Sequence, residues 1–175
     1  MGVEDLTEFQ TWPYQSVGPA RTLEDPVEVE PPRHGEGGID CPRCQNPDED
    51  AIWQDDRWLL TLFENSPFLG VVLLQPRAHI QSIADLPPDL AGEFGPMLGR
   101  VQRAIESLGG IGRVHVNYWG DGGAHLHVWF YPRPYGQLQL RGTFFPIWGF
   151  TLPNRPVEET REAGRRIAAA MDATG

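Results

Sequence analysis

The stretch His125-Leu126-His127-Val128-Trp129-Phe130-Tyr131-Pro132-Arg133 decides how this chain is read. Its residues alternate. In an extended strand, side chains two apart share a sheet face. Leu126, Val128 and Phe130 therefore fall on one side and read as core. His125, His127 and Trp129 fall on the other. Two imidazoles then share a face beside a glycine turn, Gly120-Asp121-Gly122-Gly123, which packing alone does not require. Upstream, Arg113 to Trp119 alternates in the same way, so the two segments read as an antiparallel hairpin. His115, on the first of them, reads as a half-buried structural His.

Further out, residues 52–55 and 58–64 read as strands around the turn Asp55-Asp56-Arg57, and 70–75 as a short buried strand. Met97, Leu98, Val101, Ala104, Ile105 and Leu108 share one helical face. They predict a helix over 96–108 that Pro96 either starts or, if the helix begins near Asp89, kinks. Gly109-Gly110 ends it. Residues 137–152 read as strand, interrupted by Pro146 and Gly149. Three segments follow from this reading. Residues 1–38 are an acidic, Pro-rich, partly disordered arm that Phe9, Trp12 and Tyr14 can pin to the domain. Residues 39–155 are the domain itself, with order beginning near Ile39. Residues 156–175 are a C-terminal helix. His34, in the arm, reads as solvated.

The composition narrows the function classes. The 175 residues hold 24 acids against 14 Arg and no Lys, a net charge of −10. Without Lys there is neither a Schiff-base lysine nor a P-loop lysine. Residues 1–50 alone carry 12 acids and three Arg. So acidic a chain is a poor general binder of nucleic-acid backbones, whereas a small nucleotide needs only a local anion site. No apolar run approaches the ~18 residues of a membrane helix, and the acidic start lacks a secretory pattern. A cytoplasmic protein with no membrane partner is expected.

The two Cys stand as Cys41-Pro42-Arg43-Cys44. In a cytosolic chain that spacing points to metal or redox chemistry. Zinc takes four tetrahedral N or S ligands, and a Cys-x-x-Cys knuckle supplies two from one turn. His79 and His125 can complete the set. The spacing alone is equally compatible with two reduced surface thiols.

Residues 125–133 resemble the signature of the histidine triad (HIT) superfamily, His-x-His-x-His followed by two apolar residues and often Pro-Arg. Val71-Val72-Leu73-Leu74-Gln75-Pro76-Arg77-Ala78-His79 is similar to the family's apolar strand, Pro and His. Asn117 stands before a glycine loop, as in the family, and Trp58 matches its usual beginning. The resemblance spans about residues 39–135. It implies an α+β fold with an antiparallel sheet of about five strands and helices packed on one face. It implies a structural Zn2+ held by Cys41, Cys44, His79 and His125, as in the family's zinc-binding branches. It makes His127 the nucleophile of a covalent nucleotidyl transfer at an α-phosphate, acting on a nucleotide or nucleotide sugar. Asn117, Gly122, Gly123 and the backbone N–H groups of residues 121–124 are then the candidate donors to the phosphoryl oxygens. Arg141, in a segment beyond the usual motif, is a candidate phosphate contact. Such proteins commonly form homodimers, and the altered segment 136–153 leaves that open.

Two departures bear on turnover. The third triad position is Trp129, which offers one N–H donor and no acid–base group. It can stack on a base or pack over the site. Asp121 brings a negative charge to the phosphate loop unless it turns outward. Two readings follow: a nucleotidyl hydrolase or nucleotidyltransferase using His127, or a catalytically impaired zinc protein that binds a nucleotide or a protein partner.

Overall fold

The structure, a computed structural model, describes residues 11–15 and 21–174. Phe9 lies outside the described residues. Strands β1 Ala51–Gln54, β2 Trp58–Leu62, β3 Val72–Pro76, β4 Ile111–Asn117 and β5 Val128–Pro134 form one antiparallel sheet. Their order is β1-β2-β3-β5-β4. Among the described residues four α-helices accompany them: α1 Pro42–Gln45 before β1, α2 Pro88–Glu106 between β3 and β4, and α3 Phe145–Trp148 and α4 Val157–Asp172 after β5. The α+β architecture is as expected.

Alternation builds the core. Leu60 and Leu62 of β2, Val72 and Leu74 of β3, and Val128 and Phe130 of β5 bury one sheet face against α2 and α4. From the helices come Leu90, Met97, Val101, Ala104 and Ile105 of α2, with Ile167 and Met171 of α4. The helix predicted over 96–108 is the longer one, begun by Pro88. It runs through Pro96 because that ring lies on the solvent side, where a carbonyl left without a partner can be hydrated. Its first turns are docked by Arg57, which pairs with Asp89 and Glu93, and by Trp58, whose indole N–H donates to Glu93. At the other end Arg100 lies 4.7 Å above the Trp53 ring. The Trp53 indole in turn donates to Asp172 of α4 at 3.1 Å.

The opposite face is covered differently from what the sequence suggests. Residues 137–152 are not strand. They form a short helical turn at Leu138–Leu140 and then α3. Their apolar residues look strand-like, but Pro146 is placed at the start of α3, where a missing N–H costs nothing. Phe145 is thereby fully buried beside Phe68, Val71 and Leu140. Trp129 and Tyr131 of β5 pack on this cluster. The N-terminal arm also reaches it. Trp12 sits edge-on to Phe144 at 5.1 Å, and the Trp148 indole donates to the Thr11 carbonyl at 2.9 Å. Trp12 packs on Tyr14 in turn.

Ordered contacts begin upstream of Ile39, the expected start. Arg33 donates to the Gly120 carbonyl and to Gln81, and His34 forms a parallel bridge with Gly123. The strand read from His125 begins instead at Val128. Residues 124 and 126 pair sideways, Ala124 N–H with His34 O and Leu126 N–H with Ile80 O, so the ladder to β4 stops at Asn117.

Truncating Ile167→Ala should lower stability by about 2–5 kcal/mol, because the fully buried side chain joins α4 to the sheet. Chemical denaturation measures this. His115 is half-buried edge-on to Phe145, and burial, with Arg133 and Arg113 nearby, pushes its pKa below the ordinary His value. The unfolded chain then binds that proton more readily than the native one. Stability should therefore hold above about pH 6.5 and fall below it. The fall should be shallower in His115→Gln, read by thermal melts across that range.

Candidate metal centre and active site

α1 is a single turn whose flanking and third residues are the two Cys. Pro42 opens it, and Cys41 precedes it in an extended conformation. His79 follows β3, and His125 precedes β5. These four converge: one ligand atom from each of Cys41, Cys44, His79 and His125 lies within 4.8 Å of every other. Cys41 Sγ is 3.6 Å from His125 Nδ1, Cys44 Sγ 3.3 Å from His79 Nδ1, and Cys44 Sγ 3.8 Å from His125 Nδ1. Ligands held 2.0–2.3 Å from a tetrahedral zinc stand about 3.3–3.8 Å from one another. The donor set thus suits zinc in chemistry, and these three separations lie at its ligand–ligand spacing.

The surrounding groups prepare the ligands. His125 Nε2–H donates to the Pro76 carbonyl at 2.8 Å, which leaves Nδ1 as the free donor toward the cluster. Burial holds the pKa of His125 below the ordinary His value, and so keeps the ring neutral. Gly35, with φ 81, backs directly onto Cys41, and a Cβ there would stand 3.0 Å from the Cys41 Cα. The knuckle is therefore seated against backbone that only glycine permits. Desolvation, then the neighbouring Cys41, pushes the Cys44 thiol up to about 11. A cation entering the cluster must displace such protons, so its affinity falls with pH.

Beside this cluster lies a cleft of about 200 Å³ whose walls include His127, His125, Gly123, Gln75 and His34. His127 Nδ1–H donates to the His125 carbonyl at 2.8 Å. The lone pair is thereby assigned to Nε2. A larger groove, about 920 Å³, is walled by α4 and residues 137–152, but none of the five His lines it.

The remaining expected residues divide. Asn117 pairs with Trp129 across β4 and β5 and shares its face. Its side-chain Nδ2 is shielded from solvent and has no partner among the described residues. Gly123 walls the cleft, and Gly122 accepts from His34 N–H at 3.2 Å. Of the amides of residues 121–124, that of Ala124 is taken by the His34 carbonyl. Asp121 lies within electrostatic reach of Arg33, whose own ion pair is with Glu36. Trp129 stacks on Tyr131 at 5.6 Å and meets Phe63 edge-on at 5.3 Å, its ring 6.4 Å from His127. It is part of an aromatic row. Arg141 is exposed, donates to the Leu138 carbonyl and does not line the cleft. His34, exposed as read from the sequence, and Gln75 are wall residues that the sequence reading did not select for the site.

Comparison with known proteins places the fold. No protein-family model matches the sequence, and no curated protein matches it. Among solved structures, a zinc-bound histidine triad family protein from Mycobacterium smegmatis superposes with a TM-score of 0.58 at 22% identity, over 78% of this chain and 96% of that one. A hypothetical histidine triad nucleotide-binding protein from Sulfolobus tokodaii gives 0.58 at 17%, over 76% and 93%. A uridylyltransferase mutant gives 0.56 at 18%, over 81% of this chain and 50% of its own. The chain has the histidine triad fold.

Purified protein should carry close to one zinc per chain by elemental analysis. His79→Ala or Cys44→Ala should lose it, and chelation should lower the melting temperature. Zinc should also dissociate on mild acidification.

Proposed function

We propose that this protein is a histidine triad-type nucleotidyl hydrolase or nucleotidyltransferase, acting at the α-phosphate of a nucleotide or nucleotide sugar. The observation that carries the proposal is the His127 ring. Its Nδ1–H is held by the His125 carbonyl, so Nε2 is the basic nitrogen at a cleft. A neutral imidazole in that state can act as a nucleophile. Attack forms an Nε2–P bond, and the P–O bond to the leaving group breaks. Water or a second phosphate then takes the nucleotidyl group and restores the ring.

Charge that builds on the non-bridging oxygens needs donors already in place. The unpartnered Asn117 Nδ2 and the backbone around Gly122 and Gly123 are the groups in this reading. Zinc on Cys41, Cys44, His79 and His125 would be structural. It would tie the N-terminal knuckle to the segment that carries His127. Two unpaired thiols suit a cytoplasmic setting. Among the described residues, no helix is long and apolar enough to cross a membrane.

A second reading, a zinc protein that binds a nucleotide or a protein partner without turnover, is favoured by one observation. Trp129 stands where an acid–base group is expected and is taken up by aromatic packing.

The test is intact-mass detection of a nucleotidyl adduct on the zinc-loaded chain, beside turnover. The panel is adenosine phosphoramidate, dinucleoside polyphosphates, and UDP-sugars with sugar-phosphate acceptors. The expected result is an adduct of one nucleotidyl group that is lost, with turnover, in His127→Ala. A folded, zinc-loaded chain that binds these compounds but forms no adduct supports the second reading.

A further inference from the structure

One wall of the His127 cleft comes from far upstream. The His34 N–H donates to the Gly122 carbonyl at 3.2 Å, and the Ala124 N–H donates to the His34 carbonyl at 2.9 Å. These two bonds close the parallel bridge between His34 and Gly123. Residues paired in this way carry their side chains on the same side, with backbones about 4.8 Å apart. Gly123 has no side chain, but a Cβ built on it would point to His127, 3.9 Å from Cε1. The side of the bridge that bears the His34 imidazole is therefore the side on which His127 lies. Both residues line the one cleft, His34 from its solvent-exposed edge.

The main chain around His34 is anchored on each flank. Arg33 holds the Gly120 carbonyl and Gln81, and Gly35 backs onto Cys41. The His34 ring itself makes no hydrogen bond to any described residue. Gly123 adds no side chain on that side, where a Cβ would only just touch His127, at 3.9 Å from Cε1.

We propose that His34 is a catalytic residue: the second imidazole of the phosphoryl site and the proton donor to the leaving oxygen, a role that Trp129 cannot perform. This rests on His127 as the nucleophile. In the first step the His127 Nε2 lone pair forms the N–P bond. The P–O bond breaks, and the leaving oxygen keeps its electron pair and takes a proton from the His34 imidazolium. In the second step a water oxygen bonds to phosphorus and gives a proton to the now neutral His34. The P–N bond breaks, and its pair returns to Nε2.

Two measurements on the zinc-loaded full chain test this. The first follows the imidazole resonances during titration with inorganic phosphate. The His34 and His127 signals should move together with one dissociation constant. His34→Ala should weaken phosphate binding by about tenfold, as for one charge-assisted hydrogen bond. A His34 signal that stays fixed at saturation, or unchanged affinity in His34→Ala, overturns the proposal whether or not the protein turns over.

The second compares the 4-nitrophenyl and methyl esters of adenosine 5′-phosphate. Nitrophenolate departs without a proton, and methanol does not. His34→Ala should lose about 10²–10⁴-fold on the methyl ester and little on the nitrophenyl ester. His34→Gln, which keeps a donor amide but no acid, should restore phosphate binding and not methyl-ester cleavage. Equal losses on both esters, or none, overturn the acid role. The bonds of His34 to the loop are made by its main chain, so these variants keep the bridge. Turnover and adduct that persist in His127→Ala, with phosphate still moving the His34 signal, strike the nucleophile assignment alone.

Discussion

The hydrogen bond from His125 Nε2 to the Pro76 carbonyl orients both functional clusters. It joins the end of β3 to the residues that lead into β5. By engaging Nε2 it turns Nδ1 toward the two thiols and His79. It also fixes the peptide whose carbonyl takes the proton of His127 Nδ1. One residue thus offers a candidate metal donor on its side-chain nitrogen and locks the neighbour's tautomer through its carbonyl. Removing it would leave a buried carbonyl without its donor, an incomplete ligand set and an unfixed His127. Few single positions carry three such consequences.

The metal cluster and the cleft share a construction rule. Each brings one contribution from the N-terminal segment to a scaffold made by the sheet. Cys41 and Cys44 meet His79 and His125, and His34 meets Gly122 to Ala124. Residues 35–40 separate the two contributions, and Gly35, left-handed at the start of that connection, backs onto Cys41. A zinc held by this cluster would be linked through residues 35–40 to the placement of the cleft wall. Loss of the metal would loosen the knuckle to which Gly35 is fitted and, through it, the bridge at His34.

The core was legible because it depends on local alternation. Leu126, Val128 and Phe130 are buried as the period of two requires, and α2 and α4 follow their apolar stripes. The ligand quartet was legible once Cys-x-x-Cys was joined to a family pattern. Other features were not. The segment 137–152 is rich in residues that suit a strand, and only tertiary contacts with Phe68 and Val71 select helical turns. His34 has no local signal at all. It sits among Pro and acidic residues, and its place is set by main-chain bonds to a loop 88 residues away in sequence, which side-chain chemistry does not announce. Asp121 gives the opposite case. The sequence raised its charge as an obstacle, and the structure brings Arg33, a residue with no motif around it, within electrostatic reach of it.

The chain that delivers His34 to the cleft is strongly acidic. Glu24, Asp25, Glu28 and Glu30 precede it, and the described residues 21–32 are almost wholly exposed. An anionic solute approaching this segment meets a negative field. Within about one Debye length, roughly 8 Å at physiological salt, the repulsion slows encounter. Added electrolyte shortens that length and relieves the barrier. Association with a phosphate-bearing molecule would then quicken as ionic strength rises, the reverse of the steering seen at basic nucleotide sites. The segment that supplies a wall of the cleft would then also bias, by charge, which solutes gather near it.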